Sequence, residues 1–191
     1  MRKRSFAGVA AGLILGALPH GVLAQGRLFD EVRFGVFQHD TGLIGTQREK
    51  GVDFNLEVLS APLIRSRLLG SPRIVVGGVV NSAGYTDQAY VGIVGRYTLF
   101  RDIVSPHDGL FWEGTVGGDW NDGKINVIGT PLEPFWKSHG SRLLFRIGMG
   151  MGYRFDAKWS ATLSFNHISN AGLAYPNEGQ NDLGLVIGLR I

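Results

Sequence analysis

The chain has 191 residues, no cysteine, and 19 basic against 16 acidic residues, for a net charge of +3. This length suits one domain, and the missing cysteines exclude disulfides, thiolate metal sites and cysteine nucleophiles. The 29 glycines are about twice the usual share of roughly 7%, which indicates a turn-rich or tightly curved β protein.

The N-terminal segment is typical of a secretory signal peptide. Residues 2–4 are basic, residues 6–18 are apolar, and residues 22–24 end in a small residue, as a cleavage site requires. The apolar run is shorter than the roughly 20 residues that a transmembrane helix needs. We therefore expect residues 1–24 to be cleaved and residues 25–191 to form one domain. Loss of the basic residues makes the mature chain neutral, which removes the only support for nucleic-acid binding.

The rest of the chain alternates between apolar and polar residues, segment after segment. Residues 52–58 place four apolar side chains on one face and Asp, Asn and Glu on the other. This period of two is typical of half-buried β-strands. Eight such segments are predicted, at about 31–38, 51–59, 73–81, 89–100, 110–120, 141–155, 158–169 and 181–191. Several approach the roughly 9–11 residues that a tilted strand needs to cross a bilayer.

The polarity of the two faces predicts a barrel with a charged interior. The inward faces carry acids and bases in near balance, namely Asp53, Glu57, Glu113, Asp119 and Asp182 against Arg73, Arg96, Arg142, Arg146, Arg154 and Arg190. We interpret the acids as salt-bridged lumen filling. The outward faces are apolar, with aromatic residues near strand ends, namely Trp112, Trp120, Tyr97, Tyr153 and Trp159. An apolar outside and a polar inside are typical of an outer-membrane barrel, and closure avoids an unpaired sheet edge in hydrocarbon.

The predicted fold is therefore an all-β, eight-stranded antiparallel transmembrane β-barrel of the Gram-negative outer membrane. An even strand number puts both mature termini in the periplasm. The external loops are then 39–50, 82–88, 121–140 and 170–180, and the periplasmic segments are 60–72, 101–109 and 156–157. Segment 60–72 is longer than such barrels usually allow on the periplasmic side. His39, His107 and His139 lie in predicted loops, where we expect them to be solvated and not metal ligands.

The seventh segment breaks its own pattern at its end. If the alternation of residues 158–166 continues, His167 and Ser169 lie on the lipid face, while Ile168 turns inward. Polar groups on the apolar wall of a barrel indicate a function, unless the strand has already left the membrane. Residues two apart on one strand face have Cα atoms about 6.6–7 Å apart, within reach of an imidazole–hydroxyl hydrogen bond.

The same region resembles a known family. The run Phe165-Asn-His167-Ile-Ser169-Asn170-Ala-Gly172-Leu, followed by Pro176-Asn-Glu178-Gly and an alternating final strand, is similar to the signature of the PagL-type lipid A 3-O-deacylases. The resemblance covers roughly the last 25–30 residues, and elsewhere rests on the common plan of a signal peptide and eight strands.

The resemblance implies roles for particular residues. His167 would be the general base and Ser169 the nucleophile of a Ser/His/Glu triad on the outer surface, and Asn170 and Gly172 would form the oxyanion hole. The position of the family's acid, fourteen residues after the histidine, is Asn181 here. Asn181 shares its outward parity with His167 and Ser169. Glu178, in the preceding loop, is the alternative acid.

The implied activity is hydrolysis of the 3-O-acyl ester of lipid A or lipopolysaccharide in the outer leaflet. No motif implies a metal or an organic cofactor. A catalytically weak or silent structural or adhesive barrel is the first alternative, and a lipocalin-like barrel that binds a small lipid inside is the second. The sequence leaves open the acyl-chain preference, whether activity is latent in intact membranes, and whether the chain is a monomer or a homodimer.

Overall fold

The structure is a computed structural model that describes residues 28–191, so the predicted signal peptide and its cleavage site lie outside the described residues. It contains eight β-strands, which are β1 (Phe29–Gln38), β2 (Val52–Ser60), β3 (Arg73–Asn81), β4 (Gln88–Arg101), β5 (Gly109–Asn121), β6 (Leu143–Arg154), β7 (Trp159–Ser169) and β8 (Gln180–Arg190). Within this part of the chain, no helix is long and apolar enough to cross a bilayer.

The strands form a closed antiparallel barrel in chain order. Each strand pairs with the next, and β1 pairs with β8 to close the sheet. The predicted fold and all eight predicted strands are confirmed. The sixth strand begins at Leu143, two residues later than predicted. The Arg142 guanidinium bonds the carbonyl oxygens of Asn121, at the end of β5, and of Gly123, in the loop that follows. Arg142 therefore does not join the predicted charged interior.

The two faces of the barrel differ in polarity as the alternation predicted. Along β6, residues 143–152 alternate strictly between exposed and buried positions, and the exposed ones include Leu143, Phe145, Ile147 and Met149. Facing residues on neighbouring strands point to the same side, so this apolar stripe continues onto β5 and β7. The outer surface is thus apolar between the loops at the two ends.

Charged side chains fill the interior around Arg33. The Arg33 guanidinium lies 2.7 Å from Glu31 and 2.9 Å from Glu113, and it also contacts Glu57. Arg96 of β4 forms ion pairs with both Glu31 and Glu113. Arg33 is only 4% exposed, so its charge needs these partners. The sequence predicted an ion-paired interior but did not identify Arg33 and Glu31 as its centre.

The filled interior leaves little free volume. A cavity of about 20 Å³ lies among Arg33, Glu57, Tyr90 and Arg146, which is room for about one water molecule. Arg146 continues the packing with a contact of 3.1 Å to Asp119. A lipid ligand does not fit in this space, which disfavours the lipocalin-like alternative.

A second buried charge cluster closes one end of the lumen. His39 lies between two carboxylates, with its Nδ1 2.8 Å from Asp53 and its Nε2 2.9 Å from Glu49. Burial opposes the imidazolium charge, but the hydrogen bonds to Asp53 and Glu49 raise the pKa of His39 to about 10. His39 and His139 are fully buried and His107 is exposed. The prediction that all three histidines are solvated is therefore wrong for His39 and His139.

Arg33→Met tests whether the interior network stabilises the barrel. The change leaves Glu31, Glu57 and Glu113 without their shared cation, and loss of one partner of a buried ion pair costs about 3–5 kcal/mol. We expect the free energy of unfolding in urea with detergent to fall by that amount. Lys158→Met, at an exposed turn position, is the control and should stay near the wild-type value. Equal stability of the two variants would contradict the proposed role of the network.

Candidate functional site

The candidate site lies on the outer face of the barrel, at the end of β7. His167 pairs with Ile147 of β6, and Ser169 pairs with Phe145. Both partners are exposed apolar residues of the outer face, so the two polar side chains lie on the apolar wall. Ile168 between them is 1% exposed and turns inward. The structure thus places His167 and Ser169 where the alternation predicted.

Asn181 of β8 lies directly beside His167. The two residues are cross-strand partners, and the Nδ1 of His167 is 2.8 Å from the Asn181 side-chain oxygen. The Asn181 amide nitrogen donates to the backbone oxygen of Ile44 at 2.6 Å. Because a carbonyl oxygen can only accept, this bond fixes which end of the Asn181 amide faces the imidazole.

That orientation also fixes the tautomer of His167. An amide oxygen accepts hydrogen bonds and does not donate them, so the Nδ1 of His167 must carry a proton. In the neutral ring the other nitrogen, Nε2, then carries a lone pair. Asn181 is only 1% exposed. The loop that holds Ile44 also bonds the backbone of Asn181, since the Thr41 N–H donates to the Asn181 backbone oxygen at 2.7 Å. The arrangement prepares Nε2 to accept a proton.

Gly179 provides the space for the imidazole. A Cβ atom at this position would lie 2.6 Å from Cε1 and 3.3 Å from Nε2 of His167, closer than atoms of this size approach. The backbone of residue 179 therefore forms one wall of the histidine site. Any side chain here would displace the ring and with it the Nε2 lone pair.

Ser169 is the free member of the group. Within residues 28–191, neither its hydroxyl nor the Nε2 of His167 has a hydrogen-bond partner. Catalytic hydrogen bonds are often long in unliganded sites and tighten only when substrate binds. The geometry thus pairs an oriented base with an unengaged hydroxyl two residues along the same strand face.

Glu178 does not contact His167. Its carboxylate accepts the backbone N–H of Ser138 at 2.7 Å and forms an ion pair of 2.7 Å with Arg48. It therefore links the loop after β7 to the two other long loops at this end of the barrel, 39–51 and 122–142. Of the two residues considered for the acid position, the structure brings only Asn181 to the imidazole.

Asn170 holds the loop that follows Ser169. Its buried side-chain amide donates to the backbone oxygens of His139, Ala174 and Pro176, each at 2.9 Å. Its side-chain oxygen accepts the N–H of Gly172 at 2.9 Å. Both groups predicted to form an oxyanion hole are thus engaged within the loop. In this geometry Asn170 and Gly172 shape the loop, and their role in an oxyanion hole stays a prediction.

The same loop carries two donors without partners among the described residues. One is the N–H of Ala171, which has a positive φ of 54°. The other is the amide nitrogen of Asn177, an exposed side chain whose oxygen accepts the N–H of Asn170 at 3.0 Å. Asn177 belongs to the sequence run that carried the family resemblance, but nothing in the sequence indicated that its amide, and not that of Asn170, would be left with a free donor.

His139 joins the site to the neighbouring loop. It lies against Thr86 and Gly123, and its backbone oxygen accepts the Asn170 amide. Burial lowers the pKa of His139, which favours the neutral form of the ring. A neutral ring suits this packed position, because a buried charge here would need an acidic partner at contact distance.

One group of side chains has the composition of a metal site. His39, Asp53 and Asp182 offer ligand atoms within 4.8 Å of one another, although no metal-ligand spacing was apparent in the sequence. Both nitrogens of His39 are already bonded to carboxylates. The contacts therefore describe an imidazolium ion paired with acids.

Comparisons with known proteins concern the family and the fold of the chain. A family model described as "Lipid A 3-O-deacylase (PagL)" matches residues 75–190. The crystal structure of the outer membrane enzyme PagL has a TM-score of 0.64 and 20% identity, covering 84% of this chain and 99% of its own. The N-terminal β-barrel domain of Pseudomonas aeruginosa OprF has a TM-score of 0.50 and 12% identity, covering 85% and 98%. No curated protein sequence matches the chain.

The tautomer of His167 can be measured directly. We expect ¹⁵N NMR of the purified protein, recorded at a pH high enough for an uncharged imidazole, to show the ring protonated at Nδ1, because the Asn181 oxygen accepts at that atom. In Asn181→Ala the acceptor is lost, and the signal should move toward the Nε2-protonated form that free imidazole side chains favour. A wild-type ring protonated at Nε2 would contradict the assigned orientation of the Asn181 amide.

Proposed function

Because the chain belongs to the PagL family of lipid A 3-O-deacylases, we propose that it is an outer-membrane enzyme that hydrolyses the 3-O-acyl ester of lipid A. The observation that carries this proposal is the oriented His167, with its Nε2 lone pair free beside Ser169 on the apolar outer face. The family match includes every strand of the site, since residues 75–190 contain β6, β7 and β8.

The proposed mechanism is acyl transfer through Ser169. The Nε2 of His167 takes the hydroxyl proton while the serine oxygen attacks the ester carbonyl. His167 then gives this proton to the departing sugar oxygen, which leaves an acyl-serine. A water molecule, deprotonated by the same nitrogen, attacks the acyl-serine and releases the fatty acid with regeneration of Ser169. Asn181 is a positioning residue that holds the ring through Nδ1.

The oxyanion of each tetrahedral intermediate needs hydrogen-bond donors near Ser169. The Ala171 N–H and the Asn177 amide nitrogen are our candidates, because both belong to the loop that follows Ser169 and have no partner among residues 28–191. Asn170 would then act indirectly, by holding the loop in shape. Loss of one oxyanion donor typically costs about 10²–10³ in rate.

The outward position suits a substrate that is itself a membrane lipid. Phe145 and Ile147 flank the pair on β6 and are about half exposed, so acyl chains can lie against them. Lipid A of the outer leaflet would reach the wall by lateral diffusion. We therefore propose that the loops 39–51, 122–142 and 170–179 are extracellular, that residues 1–24 are removed on secretion, and that residues 25–191 form the mature barrel.

The alternative is a structural or adhesive barrel of the same fold without this activity. The observation that favours it is the amide at position 181. An asparagine orients an imidazole but does not stabilise the imidazolium, and the matching change in a serine protease lowers the rate by about 10⁴. Mass spectrometry of lipid A from cells that express the protein separates the two functions, since only the enzyme releases the 3-linked acyl chain.

Ser169→Ala and His167→Ala should each abolish deacylation. Both side chains face outward, so neither change removes lumen packing, and heat-modifiable migration of the barrel in gels should stay as in the wild type. The measurement is the loss of the 3-O-deacylated product from lipid A mass spectra. Activity that persists in Ser169→Ala would exclude Ser169 as the nucleophile.

Gly179→Ala tests the position of the imidazole. The new methyl group would lie 2.6 Å from Cε1 of His167, so we expect the ring to shift and the rate to fall at least tenfold with the fold intact. Gly118→Ala is the matched control, since a Cβ atom there meets nothing within 4 Å. Equal rates for both variants would show that the ring does not depend on this close packing.

Substitutions at position 181 test the missing acid. Asn181→Ala loses the bond to His167, so we expect a rate loss of about tenfold, as for one neutral hydrogen bond. Asn181→Glu adds a charge that stabilises the imidazolium, and we expect the rate to rise. The rise should stay well below the ~10⁴ of a protease triad, because a carboxylate cannot donate to the Ile44 oxygen.

Glu178→Gln serves as the companion variant. The glutamine amide keeps an oxygen that accepts the Ser138 N–H but loses the ion pair with Arg48. Neither contact involves His167, so we expect near wild-type rates. A silent Asn181→Ala together with an inactive Glu178→Gln would instead assign the acid role to the loop carboxylate.

A further inference from the structure

The connection between β2 and β3 folds back along the outside of the barrel. Residues 61–72 close on themselves through a bond from the Leu63 N–H to the Pro72 oxygen at 2.8 Å. The returning arm pairs with β4, where the Arg96 N–H donates to the Gly70 oxygen at 2.8 Å. Gly70 packs on the ring of Tyr97, since a Cβ atom there would lie 2.8 Å from that ring. The segment is thus a defined structure attached to the apolar wall.

This segment exposes large apolar side chains together with the next connection at the same end, between β4 and β5. We call the following six residues the apolar collar: Leu63, Ile64, Leu68, Leu69, Ile103 and Val104. Leu68 is 84% exposed and Val104 is 86% exposed. Exposed apolar groups clustered in this way mark an interaction surface.

The collar continues the outer wall of the barrel. Tyr97, on the outer face of β4, donates its hydroxyl to the Leu68 oxygen at 3.3 Å and its ring lies 5.5 Å from that of Trp112. Tyrosine and tryptophan pairs of this kind are enriched where a barrel wall meets the lipid headgroups. The collar therefore begins at the level where the apolar wall ends.

Cations accompany the collar. Arg65, Arg67 and Arg101 are exposed and form no ion pair within residues 28–191. Arginines interleaved with leucine and isoleucine are the pattern of segments that lie in a bilayer interface, with apolar side chains among acyl chains and guanidinium groups at the phosphates.

We propose that the apolar collar inserts into the periplasmic leaflet of the outer membrane and that Arg65, Arg67 and Arg101 bind phospholipid phosphates. The inference requires a membrane-spanning barrel but not the proposed catalytic activity. A phospholipid surface is favoured over a second copy of the chain because the collar is continuous with the lipid-facing wall and carries three cations, which two facing copies would bring together.

The turn between β6 and β7 offers an internal contrast at the same end. Its Asp156 carboxylate accepts the backbone N–H groups of Lys158 and Trp159 at 2.7 and 2.8 Å, and Ala157 is exposed at its tip. This short polar turn has no counterpart of the collar. Ala157 therefore provides a control position at the same end of the barrel, which we expect to remain in water.

The absence of cysteine from the chain allows single labelled positions. Leu68→Cys, Ala157→Cys and Val91→Cys would each carry an environment-sensitive fluorophore, in nanodiscs of phosphatidylethanolamine and phosphatidylglycerol with both faces accessible. Val91 lies on the outer wall of β4. We expect brominated phospholipids to quench the labels at positions 68 and 91 several-fold more than the label at position 157, and iodide to quench only the last.

The controls separate failure of this inference from failure of the barrel placement. If position 91 is lipid-exposed but position 68 behaves like position 157, the collar lies in water and the proposal is overturned. If position 91 also escapes bromolipid, the chain does not span the membrane and the proposed location fails as well. Disulfide cross-linking of Leu68→Cys between copies, without bromolipid quenching, would overturn the proposal in favour of a dimer.

Arg65→Gln combined with Arg67→Gln tests the phosphate contacts on the Leu68→Cys background. With phosphatidylglycerol present, we expect bromolipid quenching at position 68 to fall relative to the parent, since each arginine contributes roughly fivefold to binding an anionic surface. Lys158→Gln, at the polar turn, should leave that quenching unchanged. Identical quenching in both variants would remove the arginines from the proposed contact.

Discussion

The need to neutralise Arg33 inside a closed sheet governs the rest of the molecule. Glu31, Glu57 and Glu113 reach this guanidinium from three strands, and burial makes each charge dependent on the others. Among residues 28–191, the cavity beside this cluster has a volume of only about 20 Å³, which is too small for a lipid. Any chemistry on a substrate larger than water must therefore take place on the outer wall or among the loops.

The sequence predicts the fold well because a period of two is visible in most of the strands. The same parity places His167, Ser169 and Asn181 on the outer face before any coordinates are known, and the strands confirm it. Register is a different matter. Arg33 meets Glu113 across 80 positions of sequence, and alternation says which face each occupies but not which residues meet.

The loops were predicted least well, since they have no periodicity. His39 and His139 are polar residues in connecting segments, for which solvation is the usual expectation, yet both are enclosed by loops that fold over the barrel end. Ile44 gave no signal at all, because its contribution to the site is a backbone oxygen. The contacts of Asn170 could not be predicted for a related reason, since its amide bonds three backbone carbonyl groups of the loops.

Asn181 shows what the site gains and loses without a carboxylate. The amide bonds an acceptor and a donor at once, the Ile44 oxygen and the His167 ring, so it attaches the loop 39–51 to the base. A carboxylate would bring two acceptors and would repel that oxygen. Asn181 thus does not stabilise an imidazolium electrostatically, but it fixes the tautomer of His167 and the position of the loop 39–51. Under the proposed function, activity on a lipid that diffuses in the membrane plane depends on holding His167 and Ser169 at one height in the bilayer.

The position of the site along the membrane normal depends on how the whole barrel sits in the bilayer. Contacts at the opposite end of the barrel therefore affect the site. In the closed order of strands, β3 and β4 lie across from β7 and β8, so the apolar collar and the candidate site occupy opposite sides and opposite ends of the wall. Under our proposal, lipid contact at the collar resists both vertical displacement and tilt. A rotation that lifted β7 from the membrane would drive β3 and β4 into it, against the phosphate contacts of Arg65 and Arg67. The long connection after β2, unusual for a barrel of this size, would thereby help to keep Ser169 level with the ester of its substrate.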